Sequence, residues 1–150
     1  MLETLIHPAD AFDALTLLLR LTLAIVIVPH GAQKRLGRFG GYGYRATLGY
    51  FTETLRFPAA LGVTAIMTEF VAPFALAAGL LTRPAALAVL ILMGVATVTT
   101  HLKNGFFMNW SGTNSREGFE YHILAAGIAL TLILTGAGGW SLDRLLVNHL

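Results

Sequence analysis

The sequence predicts an all-α integral membrane protein: a bundle of four transmembrane helices with a short interfacial amphipathic helix between the first two spans. Two observations predict this fold class. The chain is 55% hydrophobic and only 12% charged, whereas soluble domains contain about 25% charged residues. Four apolar stretches also approach the length of about 20 residues that a helix needs to cross the hydrocarbon core of a bilayer. The lipid bilayer is therefore the expected surrounding of the chain.

The four predicted spans make up a single domain that covers residues 1–150. They lie at residues 12–31, 58–81, 83–101 and 119–137. Pro58 and Pro84 stand near predicted helix starts, where the N–H that proline lacks would have no partner in any case. Gly79 stands near the end of the second span, as glycine commonly does at the C-terminus of a helix.

Two shorter helices are expected outside the spans. Tyr44, Leu48, Phe51 and Leu55 recur at helical spacing between the first two spans, which predicts an amphipathic helix lying along the membrane interface. Near the end of the chain, Ser141 is the predicted N-cap of a short surface helix.

Basic residues are concentrated in the first and third loops, whereas the opposite side carries Arg83 and Arg144. Loops rich in Lys and Arg stay in the cytoplasm. The sequence therefore predicts cytoplasmic first and third loops, in a bacterial inner (plasma) membrane, and it gives no reason to expect a nucleic-acid partner. The loop residues concerned are Lys34, Arg35, Arg38, Arg45, Arg56, Lys103 and Arg116.

The chain contains no cysteine. Disulfides, thiolate nucleophiles and cysteine-ligated iron–sulfur clusters are therefore excluded. Redox chemistry would need a bound cofactor, a metal held by histidine and carboxylate side chains, or a partner subunit.

Two ionisable residues fall inside predicted spans, where such groups are costly and usually functional. Arg20 precedes His30 by about 15 Å along a helix that rises 1.5 Å per residue. Glu69 follows Pro58 by a similar distance on a helix that enters from the same side. We therefore expect Arg20 and Glu69 at similar depth, joined in an ion pair.

Further polar side chains are expected nearer the cytoplasmic face, in a pocket roofed by the interfacial helix and residues 106–110. His122 is expected to point away from Glu120, so that both cannot face one cavity centre. The candidate catalytic residues are Arg20, Glu69, His101 and Glu120. The candidate ligand-binding residues are His30, Lys34, Thr97 and Asn104.

Each candidate also has a purely structural interpretation. Arg20 and Glu69 could form a static pair that fixes helix register, and His30 and His101 could cap helix C-termini, where a positive charge is favoured. A metal bound by His30, His101 and Glu120 is chemically reasonable. No two of these residues stand at i,i+3 or i,i+4 spacing, however, so no metal site is predicted.

Several short motifs follow one another along nearly the whole chain. They are Arg20 in the first span, His30-Gly31-x-x-Lys34, Glu69 before Gly79-Leu-Leu-Thr-Arg83, His101 before Gly105-Phe106, Gly118-Phe-Glu120, and Gly138-Gly-Trp-Ser141-Leu-Asp143. In order and spacing they resemble the DoxX family of small four-helix membrane proteins. That family is named after a subunit linked to a thiosulfate:quinone oxidoreductase, and its members are often described as oxidoreductases or parts of membrane redox complexes.

The resemblance and the polar residues together suggest a redox-associated membrane protein that binds a quinone-like or other small ligand. In this hypothesis Arg20 or Lys34 stabilises a quinol anion, His101 or His30 delivers protons, and Glu69 or Glu120 orients them. A quinone is the candidate cofactor, a soluble protein the candidate redox partner, and a homodimer the candidate assembly. Two alternatives stay open: a lipid or small-metabolite binding or transport protein, and a non-catalytic membrane subunit of a redox complex.

Overall fold

The computed structural model describes residues 7–112 and 116–149, and every regular element within them is a helix. The predicted all-α fold class is confirmed. Six α-helices follow one another in the described residues: α1 Pro8–Leu36, α2 Gly43–Gly49, α3 Ala59–Ala78, α4 Thr82–Ala96, α5 Glu120–Thr135 and α6 Leu142–His149.

Two of these helices continue in a different helical form. A π-helical turn, Tyr50–Thr54, follows α2. A second π-helical turn, Thr97–His101, follows α4 and leads into a 3₁₀ turn at Leu102–Asn104. Turns of the π type occur mostly as single insertions and often at functional sites, and both of these adjoin the cavity described below.

Three helices are long and apolar enough to cross a membrane: Pro8–Leu36, Ala59–Ala78 and Thr82–Asn104. The fourth predicted span corresponds to α5, a shorter apolar helix. Its 16 residues extend about 24 Å, against about 30 Å for the hydrocarbon core. Crossing of the bilayer by α5 stays a prediction.

The four long helices surround one core. Helix α1 packs against α3, α3 against α4, and α4 against α5, which returns to α1. Leu81 and Thr82 follow α3 almost directly, so α3 and α4 form a tight hairpin. The centre of the bundle consists of buried aliphatic side chains, among them Leu23, Ile27, Leu76, Val89 and Leu132.

Helix α1 is longer than the first predicted span. It continues past Gly31 to Leu36 and ends at Gly37, which adopts a left-handed backbone (φ 69°) and bonds back to the last turn. Gly31 lies directly against α3, since a Cβ atom there would be 2.4 Å from the carbonyl oxygen of Glu69. Glycine therefore sets both the end of α1 and its closest approach to α3.

The tail of the chain is fastened to the end of the bundle opposite the first loop. Ser141 Oγ accepts a hydrogen bond from the Arg144 N–H (3.2 Å), which confirms the predicted N-cap of α6. The Asp143 carboxylate accepts hydrogen bonds from the N–H groups of Leu81 (2.7 Å) and Thr82 (2.9 Å), where α4 begins. One side chain of the tail thus caps a transmembrane helix.

The predicted interfacial helix between the first two spans is present as α2 and the π-helical turn after it. Leu48 and Phe51 pack over Gly62 of α3, where a Cβ atom would lie 2.9 Å from Leu48 and 3.1 Å from Phe51. The absence of a side chain at Gly62 therefore lets this segment lie close to α3. Its position at the membrane interface stays a prediction.

Candidate functional site

A cavity of about 660 Å³ lies inside the bundle, near the end that carries the first and third loops. Side chains from α1, α3, α4 and α5 form its walls, and Thr47, Tyr50 and Phe51 contribute from the segment after α1. Met108 of the third loop also contacts it. The predicted pocket is therefore present, with both predicted roof segments beside it.

An ion pair stands at the polar end of the cavity. Lys34 Nζ, in the last turn of α1, lies 2.5 Å from Glu69 Oε2, in the middle of α3. The Glu69 side chain is 5% exposed and that of Lys34 is 38% exposed. Pro73, one turn later, has no N–H to give to the Glu69 carbonyl, and this is the carbonyl against which Gly31 packs.

Histidine and tyrosine rings complete the polar end. The rings of His101 and His122 lie 4.2 Å apart between centroids, and those of His30 and Tyr121 lie 5.8 Å apart. His101 belongs to the π-helical turn after α4, and its Nδ1 lies 3.0 Å from the carbonyl oxygen of Glu117. Four helices of the bundle thus supply groups that can donate, accept or transfer a proton.

Two polar atoms at this end are buried and have no hydrogen-bond partner among the described residues: the Tyr121 hydroxyl and His122 Nδ1. They belong to adjacent residues of α5, and both residues line the cavity. Buried polar atoms in native proteins are nearly always paired with protein or water. Because both atoms are themselves buried, a ligand or water in the cavity reaches them only after the side chains rotate.

The predicted ion pair between Arg20 and Glu69 is wrong. Arg20 is fully buried, but its guanidinium donates to the carbonyl oxygens of Trp140 (2.5 Å), Leu76 and Ala77 (both 3.5 Å). These groups lie at the far end of α3 and in the tail. Glu69 is paired with Lys34 instead.

The register between α1 and α3 explains the error. The prediction placed the end of the first helix near His30, whereas α1 continues to Leu36. Gly31 consequently lies level with Glu69, and Arg20 lies eleven residues, or about 16 Å, further along the helix.

Four of the eight candidate residues line the cavity: His30, Lys34, Glu69 and His101. Arg20, Thr97, Asn104 and Glu120 do not belong to its described wall. The Thr97 hydroxyl donates to the Met93 carbonyl (2.8 Å), and Asn104 Nδ2 donates to the Glu117 carbonyl (2.9 Å). Both side chains are therefore hydrogen-bonded to backbone carbonyls.

Glu120 lies beside the third loop. Its Oε2 accepts hydrogen bonds from the Met108 N–H (3.1 Å) and the Trp110 indole (3.4 Å). Glu117 accepts likewise from the Asn109 N–H (2.7 Å). Both carboxylates thus hold the loop that places Met108 against the cavity.

Sequence reasoning did not select Tyr121, and it left His122 out of the candidate set. His122 and Glu120 do point in different directions, as expected, but the cavity lies on the His122 side. The two adjacent side chains could have been found from their place in the first turn of an apolar helix. Among the described residues, no group of three or more His, Asp and Glu side chains could hold a metal ion.

Apolar helices packed around a cavity with a half-buried ion pair define a helical integral membrane protein with an internal, ligand-sized site. More specifically, the chain belongs to the DoxX family, whose model matches residues 15–102. It is 29% identical over 140 residues to "Inner membrane protein YphA" of Escherichia coli (strain K12), across 89% of this chain and 91% of that protein. No solved structure matches the chain significantly. The predicted family resemblance is confirmed.

Proposed function

We propose that this protein binds a quinone-like small molecule in the cavity, with the oxygen-bearing head at the polar end, and takes part in membrane redox chemistry. One observation carries the proposal: Tyr121 and His122 bury a hydroxyl and a ring nitrogen that have no partner among the described residues. An unpaired buried polar group costs about 1–3 kcal/mol. A rotation that turns either atom towards the cavity lets a ligand oxygen bond to it and removes that cost.

The size and lining of the cavity support the same class of ligand. Its volume of about 660 Å³ falls within the range of about 300–1,000 Å³ typical of small-molecule sites. Most of the wall is apolar or aromatic, and Lys34, Glu69, His101, Tyr121 and His122 lie at one end. A flat apolar ring that carries oxygen atoms at its edge matches this division.

In the proposed reaction a quinone takes up two electrons and two protons and becomes a quinol. The Lys34 ammonium stabilises the negative charge that develops on the oxygen, as fixed cations do for oxyanions. Glu69 holds that ammonium in place. The rings of His101 and His122, 4.2 Å apart and tilted by 41°, pass the two protons from water to the quinone.

The chain has no cysteine to carry electrons. The proposal therefore includes a soluble redox partner that delivers them. It also includes a location in a bacterial inner membrane, which is the location that the name of the relative YphA gives for that protein, and cytoplasmic first and third loops. The homodimer stays a prediction.

The test is quinone binding by a Tyr121→Phe variant, measured with a short-chain quinone and protein in lipid nanodiscs. We expect affinity to fall about five- to tenfold through loss of one hydrogen bond. Thermal stability should be unchanged or slightly higher, because the variant removes a buried hydroxyl without a partner. Tyr42→Phe, at an exposed tyrosine in the first loop, is the matched control and should bind as the wild type does.

Three results would contradict the proposal. Unchanged affinity in Tyr121→Phe would remove the tyrosine from the site. A wild-type protein that binds no quinone and carries phospholipid instead would favour a lipid-binding or transport protein, and one that carries neither would favour a non-catalytic subunit of a redox complex.

A further inference from the structure

Most of the ionisable side chains of the cavity and most of its apolar side chains lie on different helices. Its ionisable end is formed by α1, α5 and the π-helical turn after α4, and Glu69 of α3 reaches into it. Away from this end, the facing sides of α3 and α4 supply apolar and small residues, among them Ala65, Ala88 and Leu92. A ligand whose head occupies the polar end must therefore extend between α3 and α4 if it is longer than a single ring.

Three residues mark a rim between α3 and α4. Leu61, Ile91 and Val95 all line the cavity, yet they are 57%, 58% and 43% exposed. Side chains in an enclosed wall would be buried, so exposure this high indicates that the wall is open beside them. Since Leu61 belongs to α3 and the other two belong to α4, the opening lies between these two helices.

Part of the rim lies at the depth of the hydrocarbon. Ile91 is nine residues from the start of the apolar helix Thr82–Asn104, which places it about 14 Å along that helix. This is close to half the thickness of a hydrocarbon core of about 30 Å. Leu61 is only two residues from the start of α3, so the opening runs from the end of the bundle near the first loop towards the lipid chains.

The wall nearest the first loop is aromatic. The rings of Phe51 and Phe57 lie 6.5 Å apart and nearly parallel, with an angle of 11° between their planes, and both contact the cavity. These rings form the wall on the side of the first loop, whereas the opening lies between α3 and α4.

We infer that the ligand is a membrane amphiphile that enters from the bilayer between α3 and α4, and that its hydrocarbon tail stays in this opening while its head is bound. The inference rests on the proposed function and narrows its ligand to quinones with an apolar chain. Water-soluble aromatic compounds without a tail would fill only the polar end.

The chain lends itself to a direct test because it has no cysteine. Ile91→Cys and Leu87→Cys each introduce a single thiol, one turn apart on α4, at residues that are 58% and 48% exposed. Ile91 stands at the rim, whereas Leu87 does not belong to the described wall. Each variant is labelled with a bulky maleimide in detergent solution, where the thiol can ionise, labelling is verified by mass spectrometry, and the protein is then transferred to nanodiscs. Equilibrium binding is measured for a decyl-chain quinone and for the same quinone without a tail.

We expect the label at residue 91 to weaken binding of the decyl-chain quinone by about tenfold and that of the tailless quinone by less than about twofold. The label at residue 87 should change neither affinity by more than about twofold. Comparing labelled with unlabelled protein for each quinone cancels the difference in their partition into lipid.

The outcomes separate the two claims. If the wild type binds both quinones and the label at residue 91 leaves both affinities unchanged, the opening is not used and this inference is overturned while the proposed function stands. If the labels at residues 87 and 91 weaken binding equally, the effect is not specific to the rim, which also overturns it. If the wild type binds neither quinone, the proposed function fails and this inference fails with it.

Discussion

Lys34→Met tests the stability of the polar end. In this variant the Glu69 carboxylate stays buried, with 5% of its side chain exposed, but it loses the ammonium group 2.5 Å away. Removing one member of a buried pair costs about 3–5 kcal/mol, because the remaining charge is desolvated and unpaired. The Lys34 side chain is 38% exposed, and water screens an exposed pair. We therefore expect the free energy of unfolding to fall by about 2–3 kcal/mol.

The assay is detergent-driven unfolding in mixed micelles, applied to the wild type, Lys34→Met, Glu69→Gln and the double variant. The double variant contains no unpaired charge at this position, so we expect a coupling free energy of about 1–2 kcal/mol between the two changes. A Lys34→Met protein within about 0.5 kcal/mol of the wild type would refute the reasoning. So would a double variant whose loss equals the sum of the two single losses.

Three further variants probe the rest of the fold through the same unfolding assay. Arg20→Ala should lower the free energy of unfolding by about 3–5 kcal/mol, because it removes hydrogen bonds and leaves a cavity. Quinone affinity should not change. A stable protein that has lost its quinone affinity would contradict this prediction. Gly31→Ala should lower the free energy of unfolding by about 1–3 kcal/mol, because its Cβ would overlap the α3 backbone. The control is Gly94→Ala, which should cause no loss because nothing lies within 4 Å of that position. Equal losses in the two variants would argue against the close contact at Gly31. Asp143→Ala should cost about 1 kcal/mol as a lost helix cap, and an unchanged stability would show that the cap is dispensable.

The helices were predictable because their signals are local. Long apolar stretches indicate spans whatever their neighbours are, and a serine before a short amphipathic segment indicates an N-cap. His30, Lys34 and His101 were expected near the cytoplasmic face of a polar pocket and Glu69 deeper, beside Arg20, because all four are ionisable groups in an apolar chain. All four line the cavity.

The register between helices was not predictable in this way. It depends on where α1 ends, which is set by the left-handed Gly37, and on how closely Gly31 approaches α3. Because α1 ends a few residues later than predicted, Arg20 does not lie at the level of Glu69. It lies near the opposite end of the bundle.

The side of α5 that faces the cavity could not be predicted from the sequence either. Tyr121 and His122 are adjacent in an apolar helix, and helical spacing alone does not say which of its sides faces an empty volume. The π-helical turn at Thr97–His101 also changes the direction of the His101 side chain relative to a regular helix. The contact between His101 and His122 follows from that turn and from the packing of α4 against α5.

The central claim, that the cavity holds a small redox-active ligand, is tested most directly by mass spectrometry of small molecules extracted from the purified protein. The comparison is between the wild type, Glu69→Gln at the polar end, and Glu53→Gln at an exposed glutamate outside the described cavity wall. We predict a quinone in the wild type and in Glu53→Gln, and depletion of that quinone in Glu69→Gln. Recovery of the same bulk phospholipid from all three proteins, without a quinone, would contradict the account.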